Sequence, residues 1–435
     1  MAIDVTADPT HLLRIVMAAG GRPAAPASTL PPDPLYESLM AHALQPPLEA
    51  VDADLPLLQA STLRENMVLL LEQEPLYARM ATSDHQREAC LGLLEKVPLP
   101  DSVALQLSLL RDTRPVLYRQ ALGAAWTMLW LYQKRTSARY DLCMAASAGL
   151  LHDLGMLHLS PTLSDRRAEL GPQERQELHL HPLLVRGLLE RHHHYASEVL
   201  RAVAEHHECL DGSGYPQSLM GERISPMGRA LALSSVVVSL LGDRQRGGEL
   251  RLSALLRLNQ HRYAPELIRQ FLALLRPEQD PRSAAVDVLE HAQETLEQAG
   301  LVARAWPRHA AGFEGITPER LAALQAVTRQ VDLFCRSLSS LGVDRARAAP
   351  ADSPAAQLLR RQELTLLARE AAWQLRSLAR QASRGWNAGP DGLAPAPLRR
   401  WLEDAEVLSQ RTLPAQLDRR SNDTLPPATH QLHTA

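Results

Sequence analysis

The chain holds 435 residues, 45% apolar and 22% charged, with a formal net charge of -3 at pH 7. These values suit a globular protein of two or three domains and give no electrostatic reason to expect DNA as a partner. No apolar run reaches membrane-spanning length, the longest candidate being Ala230 to Leu241, and the acidic start MAIDVTADPTHLLRI lacks the basic region of a signal peptide.

The elements run in order as follows. Residues 1–34 form an N-terminal segment whose proline-rich part, RPAAPASTLPPDP, reads as an extended linker. From 35 to 100 apolar residues recur at helical spacing, as in Leu63, Met67, Leu70 and Leu71, until Pro98 and Pro100 break the pattern. Residues 102–134 read as one or two buried helices, with Trp126 and Trp130 on one face as core. A buried helix over 141–157 carries His152-Asp153 near its end; helices over 172–190 and 196–208 follow, the second ending at His206-His207. Beyond a glycine-rich turn, 226–242 and 251–275 continue the helical series. Proline and small residues at 276–283 and 345–354 mark boundaries. Residues 317–343 and 355–384 are amphipathic and are expected to pair as an antiparallel hairpin or a dimerising bundle, read as a solvated appendage. The tail from 411 is expected to be disordered. No strand alternation stands out, so the expected fold class is all-α. The expected division is 1–34, 35–100, 101–275, 276–410 and 411–435.

Cys90, Cys143, Cys209 and Cys335 lack metal or redox spacing and suit a reducing, cytoplasmic setting. Lysine is confined to Lys96 and Lys134, so a lysine exchanged in such an arginine-biased chain should reappear as arginine.

Histidines crowd into one stretch: His152, His158, His179, His181, His192, His193, His194, His206 and His207. Imidazole is the commonest ligand for borderline transition metals, and an adjoining carboxylate can bridge two ions. His158 and His179 read as ordinary satisfied groups, and His192-His193-His194 as a solvated connection. The segments Leu-His152-Asp153-Leu-Gly155, His181-Pro182, His206-His207-Glu208 and Asp211-Gly-Ser-Gly-Tyr215-Pro216 resemble the HD-GYP subgroup of the HD-domain phosphohydrolases. The intervals also match: 29 residues from His152 to His181 and 25 from His181 to His206. The similarity covers about 110–270.

That resemblance implies an HD-domain helical bundle, flanked here by further helical regions. It implies metal-dependent hydrolysis of cyclic di-GMP with iron or manganese. Metal ligands carried over are His152, Asp153, His181, His206 and His207, with Asp153 bridging and Asp153 or Glu208 as the base, unless Glu208 serves to orient a ligand. Gly212, Gly214, Tyr215 and Pro216 would form the substrate wall, the turn lending N–H donors to phosphate. A cyclic dinucleotide is the implied ligand, and a diguanylate-cyclase domain or a second copy of the chain the implied protein partner. The chain also departs from the family's pattern. Between Glu95 and His152 there is no histidine or glutamate to supply the early ligand expected near Tyr118 or Gln120. Ser235 and Val238 stand where the family has aspartates, and Met156 where it has the phosphate-binding lysine. Asp243 is too far along to replace them. One metal is therefore expected instead of two, with weak or no turnover; the alternative is a phosphodiesterase working with that single ion.

Overall fold

The computed structural model describes residues 34–43, 56–160, 163, 171–242, 248–279, 286, 288–310, 316–341, 353–387 and 394–412. The expected linker up to Asp33, the Asp243 region, the 345–352 boundary and the tail beyond Thr412 lie outside these residues. Among the described residues every regular element is helical, apart from one isolated bridge between Asp211 and Met220. The expected all-α class holds.

The helices are α1 (Pro34–Ala43), α2 (Ala60–Gln73), α3 (Pro75–Arg79), α4 (Asp84–Leu94), α5 (Asp101–Thr113), α6 (Pro115–Tyr132), α7 (Arg139–Leu151), α8 (Pro172–Glu190), α9 (Ser197–Glu205), α10 (Pro226–Gly242), α11 (Gly248–Leu258) and α12 (Pro265–Leu274). Beyond these come α13 (Ala292–His309), α14 (Pro318–Ser340), α15 (Pro354–Asn387) and α16 (Ala396–Thr412). No helix among the described residues is long and apolar enough to cross a membrane.

The main core runs from Leu58 to Leu275 and centres on α6, which is buried along most of its length and packs against α7 and α10. Trp126 and Trp130 lie in it as expected. The indole of Trp126 donates to Tyr77 O at 3.0 Å, and Trp130 meets Phe271 edge-on. A second core joins α13, α14, α15 and α16 around Trp306, Trp401 and Phe334. The 317–343 and 355–384 helices do pack together, but they share this core with two other helices and are no solvated appendage.

Two expected helices differ in extent. The 251–275 pattern is interrupted at 259–264, because Pro265 forces Ala264 out of helical geometry (φ -60°, ψ 120°) and starts a new helix. The 141–157 helix stops at Leu151. Asp153 leaves helical geometry (φ -105°, ψ 10°), and a short 3-10 segment, Leu154–His158, continues the chain toward α8.

Candidate metal centre

Three histidines are held by the same backbone device. Nδ1 of His152 faces Gly149 O at 2.8 Å, that of His181 faces Leu178 O at 2.6 Å, and that of His206 faces Val203 O at 2.7 Å. Gly149 and Val203 lie in the last turns of α7 and α9, where helix carbonyls lack a backbone donor. Leu178 lies inside α8, yet its carbonyl is free for another reason: Pro182, four residues on, has no N–H. Each ring thus donates from Nδ1 and turns Nε2 inward, as a lone pair at His181 and His206 and toward the Asp153 carboxylate at His152.

Asp153 brings these rings together. Its Oδ1 lies 3.4 Å from Nε2 of both His181 and His206, and its Oδ2 lies 3.3 Å from Nε2 of His152. The approach of the 3-10 segment to α8 depends on Gly155, where a Cβ would stand 2.5 Å from His181 O. One ligand atom from each of Asp153, His181, His206 and His207 fits within 4.8 Å of the others. Among the described residues no other His, Cys, Asp or Glu side chains converge in this way. His152 stands outside the group of four, alone on the Oδ2 side.

The donor set fits a cation. Nε2 of His181 and Nε2 of His206 are 3.2 Å apart. With both ring protons committed to carbonyls, two lone pairs face one another beside a carboxylate oxygen, an arrangement a shared positive charge relieves. Burial pushes His206 down to about 4 and His207 well below its ordinary range, so both are neutral donors. For Asp153 burial works upward, but His152, His181 and His206 more than offset it and hold the carboxyl well below the usual range. His152, pulled down by burial, is carried above its ordinary value by Asp153. The carboxylate is 13% exposed and His207 partly so, whereas His152, His181 and His206 are buried. Access to the cluster is therefore from the Asp153–His207 side.

The glycine-rich turn serves the cluster indirectly. Tyr215 is buried and stacks on His207 (centroids 4.6 Å apart, 24° between planes) and on His179 (4.2 Å, 15°). Its N–H donates to His207 O at 3.2 Å. Gly214 passes so close to the strand of chain beneath it that a Cβ would lie 2.4 Å from His207 O and from Cys209 N. Gly212, at φ 77°, turns the chain, and Tyr215-Pro216 is a cis peptide. The N–H groups of Gly212, Ser213 and Tyr215 are all engaged within the turn and its stem, by Cys209 O, Asp211 Oδ1 and His207 O. Glu208 is not in the cluster: its two oxygens accept from Gln217 N (2.7 Å) and Leu219 N (2.8 Å), bracing the far side of the turn. Burial pushes its carboxyl up to about 7.

His179, read from the sequence as an ordinary satisfied group, is part of this stack. Glu205 was not singled out in the sequence at all. It accepts from Ser225 N and Oγ and from Arg201, which fixes the start of α10 against the end of α9. The i,i+4 spacing from Arg201 was its only sequence signal.

The positions where family ligands were missing hold apolar or neutral polar side chains. Met156 packs in a buried apolar cluster with Met40 of α1, Leu178, Leu184 and Tyr215. The Tyr118 hydroxyl accepts from Asn66 at 2.9 Å. Gln120 and Val238 line a small cavity with Glu74, Tyr77, Arg119 and Leu241, none of which belongs to the group of four. Ser235 is buried on α10.

Residues 105–266 match the family described as HD domain. The chain carries an HD domain. Its His-Asp pair, His152-Asp153, is the doublet at the cluster's centre. Over 132 residues the chain is 30% identical to a cyclic di-GMP phosphodiesterase of Pseudomonas aeruginosa, a stretch covering 29% of this chain and 32% of that protein. A 3'3'-cGAMP-specific phosphodiesterase of Vibrio cholerae is 31% identical over 113 residues, 26% of each chain. A cyclic di-GMP phosphodiesterase response regulator of Xanthomonas campestris is 33% identical over 98 residues, 22% of this chain and 26% of that one. The match thus spans a third or less of each relative. No solved structure matches the chain.

Proposed function

We propose that this HD domain is a cyclic-dinucleotide signalling module holding one divalent ion, iron or manganese, with weak or no phosphodiesterase turnover. The observation that carries the reading is the unequal use of Asp153. Its Oδ1 lies beside His181 and His206, which with His207 make a four-donor set, while among the described residues the imidazole beside its Oδ2 is that of His152. One imidazole and a shared carboxylate are too few donors for a second ion of the kind that supports the attacking or leaving oxygen in two-ion sites. When bound, a single ion supplies polarisation of a phosphate oxygen and lowers the pKa of water.

The residues then divide as follows. Asp153, His181, His206 and His207 hold the ion; His152 pairs with Asp153 from behind. Tyr215 orients His207, and Glu208 braces the turn. Pro216 lies on the wall that a cyclic dinucleotide would meet beside the exposed edge of Asp153 and His207, with the buried Gly214 holding the turn against His207 behind it. Met156, set in apolar surroundings, gives no cation to a phosphate there, a charge-assisted contact of about 1.5–3 kcal/mol forgone. The second reading, a phosphodiesterase using the single ion, is favoured by the partial exposure of Asp153 and His207, which would let water and substrate reach an ion held there.

Purified protein supplied with manganese or ferrous iron, assayed with cyclic di-GMP and with 3'3'-cGAMP, separates the two. The proposal expects binding without appreciable hydrolysis. Turnover that disappears in His206→Ala would replace it with the single-ion enzyme.

A further inference from the structure

The loop 259–264 between α11 and α12 touches both the C-terminal helices and the glycine-rich turn. On the C-terminal side, Asn259 Nδ2 donates to Glu370 Oε1 at 3.0 Å and Asn259 Oδ1 accepts from Gln374 Nε2 at 2.9 Å, both partners on α15. Gln374 Nε2 also reaches Glu370 Oε1 at 2.7 Å, and His261 Nδ1 meets Ser337 Oγ of α14 at 2.9 Å. On the turn side, Leu210 N donates to Arg262 O at 2.9 Å. The Arg262 guanidinium donates to Ser213 Oγ through Nη2 at 2.9 Å and Nε at 3.2 Å, with Asp211 Oδ2 3.6 Å from Nε. Ser213 in turn binds Asp211 Oδ1 through both Oγ (2.6 Å) and N (2.9 Å).

We infer that Arg262 is a positioning residue for the metal centre, through which the C-terminal helices set the placement of His207. The inference rests on the one-ion reading above. Arg262 fixes the turn at Leu210, Asp211 and Ser213. Four residues from Asp211 the same turn ends at Tyr215, whose ring and N–H hold His207. Gly214 leaves no slack between these ends, since the turn lies directly on His207 O and Cys209 N. A shift at Ser213 therefore moves the Tyr215 ring, and with it His207, the ligand imidazole that, among the described residues, has no carbonyl anchor of the kind found at His181 and His206. Glu370 stands behind the loop: it is bonded to Asn259 and its charge acts on Arg262.

Manganese titration of the full chain by calorimetry, alongside circular dichroism and thermal melting, tests this. Groups bonded directly to a metal ligand affect affinity by about 10- to 100-fold, and Arg262, acting through the turn, is expected at the lower end. Arg262→Ala is expected to weaken manganese binding about tenfold at unchanged stoichiometry, with Arg262→Lys recovering part of the loss. Glu370→Gln is expected to weaken it about threefold, and to have no added effect in the Arg262→Ala background. A folded Arg262→Ala protein with wild-type affinity overturns the inference, even if its melting temperature falls, because that is a purely structural role. Should Arg262→Ala not fold, wild-type affinity in folded Glu370→Gln overturns it equally. Wild-type protein that takes up no manganese instead removes the one-ion reading itself, a result distinct from either of these.

Discussion

The ring proton of His181 is placed by its neighbour. Pro182 cannot donate to Leu178 O, so that carbonyl accepts from His181 Nδ1 at 2.6 Å and the lone pair on Nε2 is turned toward Asp153. The His-Pro pair was visible in the sequence as a motif, but the reason for it became clear only with α8 continuous through Pro182. Pro182→Ala gives Leu178 O a backbone donor that competes with the imidazole. Helix stability should rise while manganese affinity falls several-fold, as read by thermal melting and calorimetric titration on the same protein; unchanged affinity would show that the proline is irrelevant to the ring. The stack on Tyr215 was not legible. His179 and His207 are 28 residues apart and nothing in their spacing couples them, so only the close path of the turn reveals His179 as part of the site. Glu208 carries two readings in the sequence, base or partner orienting a ligand; its carboxylate instead accepts from Gln217 N and Leu219 N and braces the turn.

At the level of elements, the helices read best are those with punctuation at both ends. Over 172–190 the chain opens on Gly171-Pro172, with Glu174 accepting from Gly171 N at 2.6 Å, and the helix stands where the pattern places it. The 141–157 helix lacked such a stop. It ends because the chain must leave helical geometry for Asp153 to face α8, a tertiary demand that overrides local propensity. Gly155 makes this crossing possible. Gly155→Ala puts a methyl 2.5 Å from His181 O, and backbone cannot yield there without moving a ligand. Overpacking of this kind costs about 1–3 kcal/mol. Urea unfolding should show that loss together with weakened metal binding, whereas a neutral substitution would mean that the two segments are not fixed against each other.

For the whole molecule, two cores meet on α11. Leu252, Leu255 and Leu256 belong to the HD-domain core, and Ala254 and Leu258 to the C-terminal one. We propose that the expected boundary near 275 separates regions that are distinct in sequence but joined in packing, with α11 as the common wall. The sequence showed the amphipathic 317–343 and 355–384 helices but not their partners, because the apolar stripe on a helix does not say which surface covers it. Acid should weaken the fold as a whole. His158, burial-depressed to about 4, is neutral when folded and titrates at about 6.5 when unfolded. The unfolded chain therefore binds more protons, and this contribution is complete above about pH 6.5 and is lost as pH falls from there toward 4. Urea midpoints between pH 7.5 and 5 should fall less steeply in His158→Gln than in wild type; parallel slopes would contradict the assignment. The central claim is narrower: one ion, held on the Oδ1 side of Asp153. Metal analysis of purified wild-type, His152→Ala and His181→Ala proteins after manganese loading tests it most directly. One ion per chain in wild type and in His152→Ala, and almost none in His181→Ala, is the predicted result; two ions per chain in wild type, or a site emptied by His152→Ala, would contradict it.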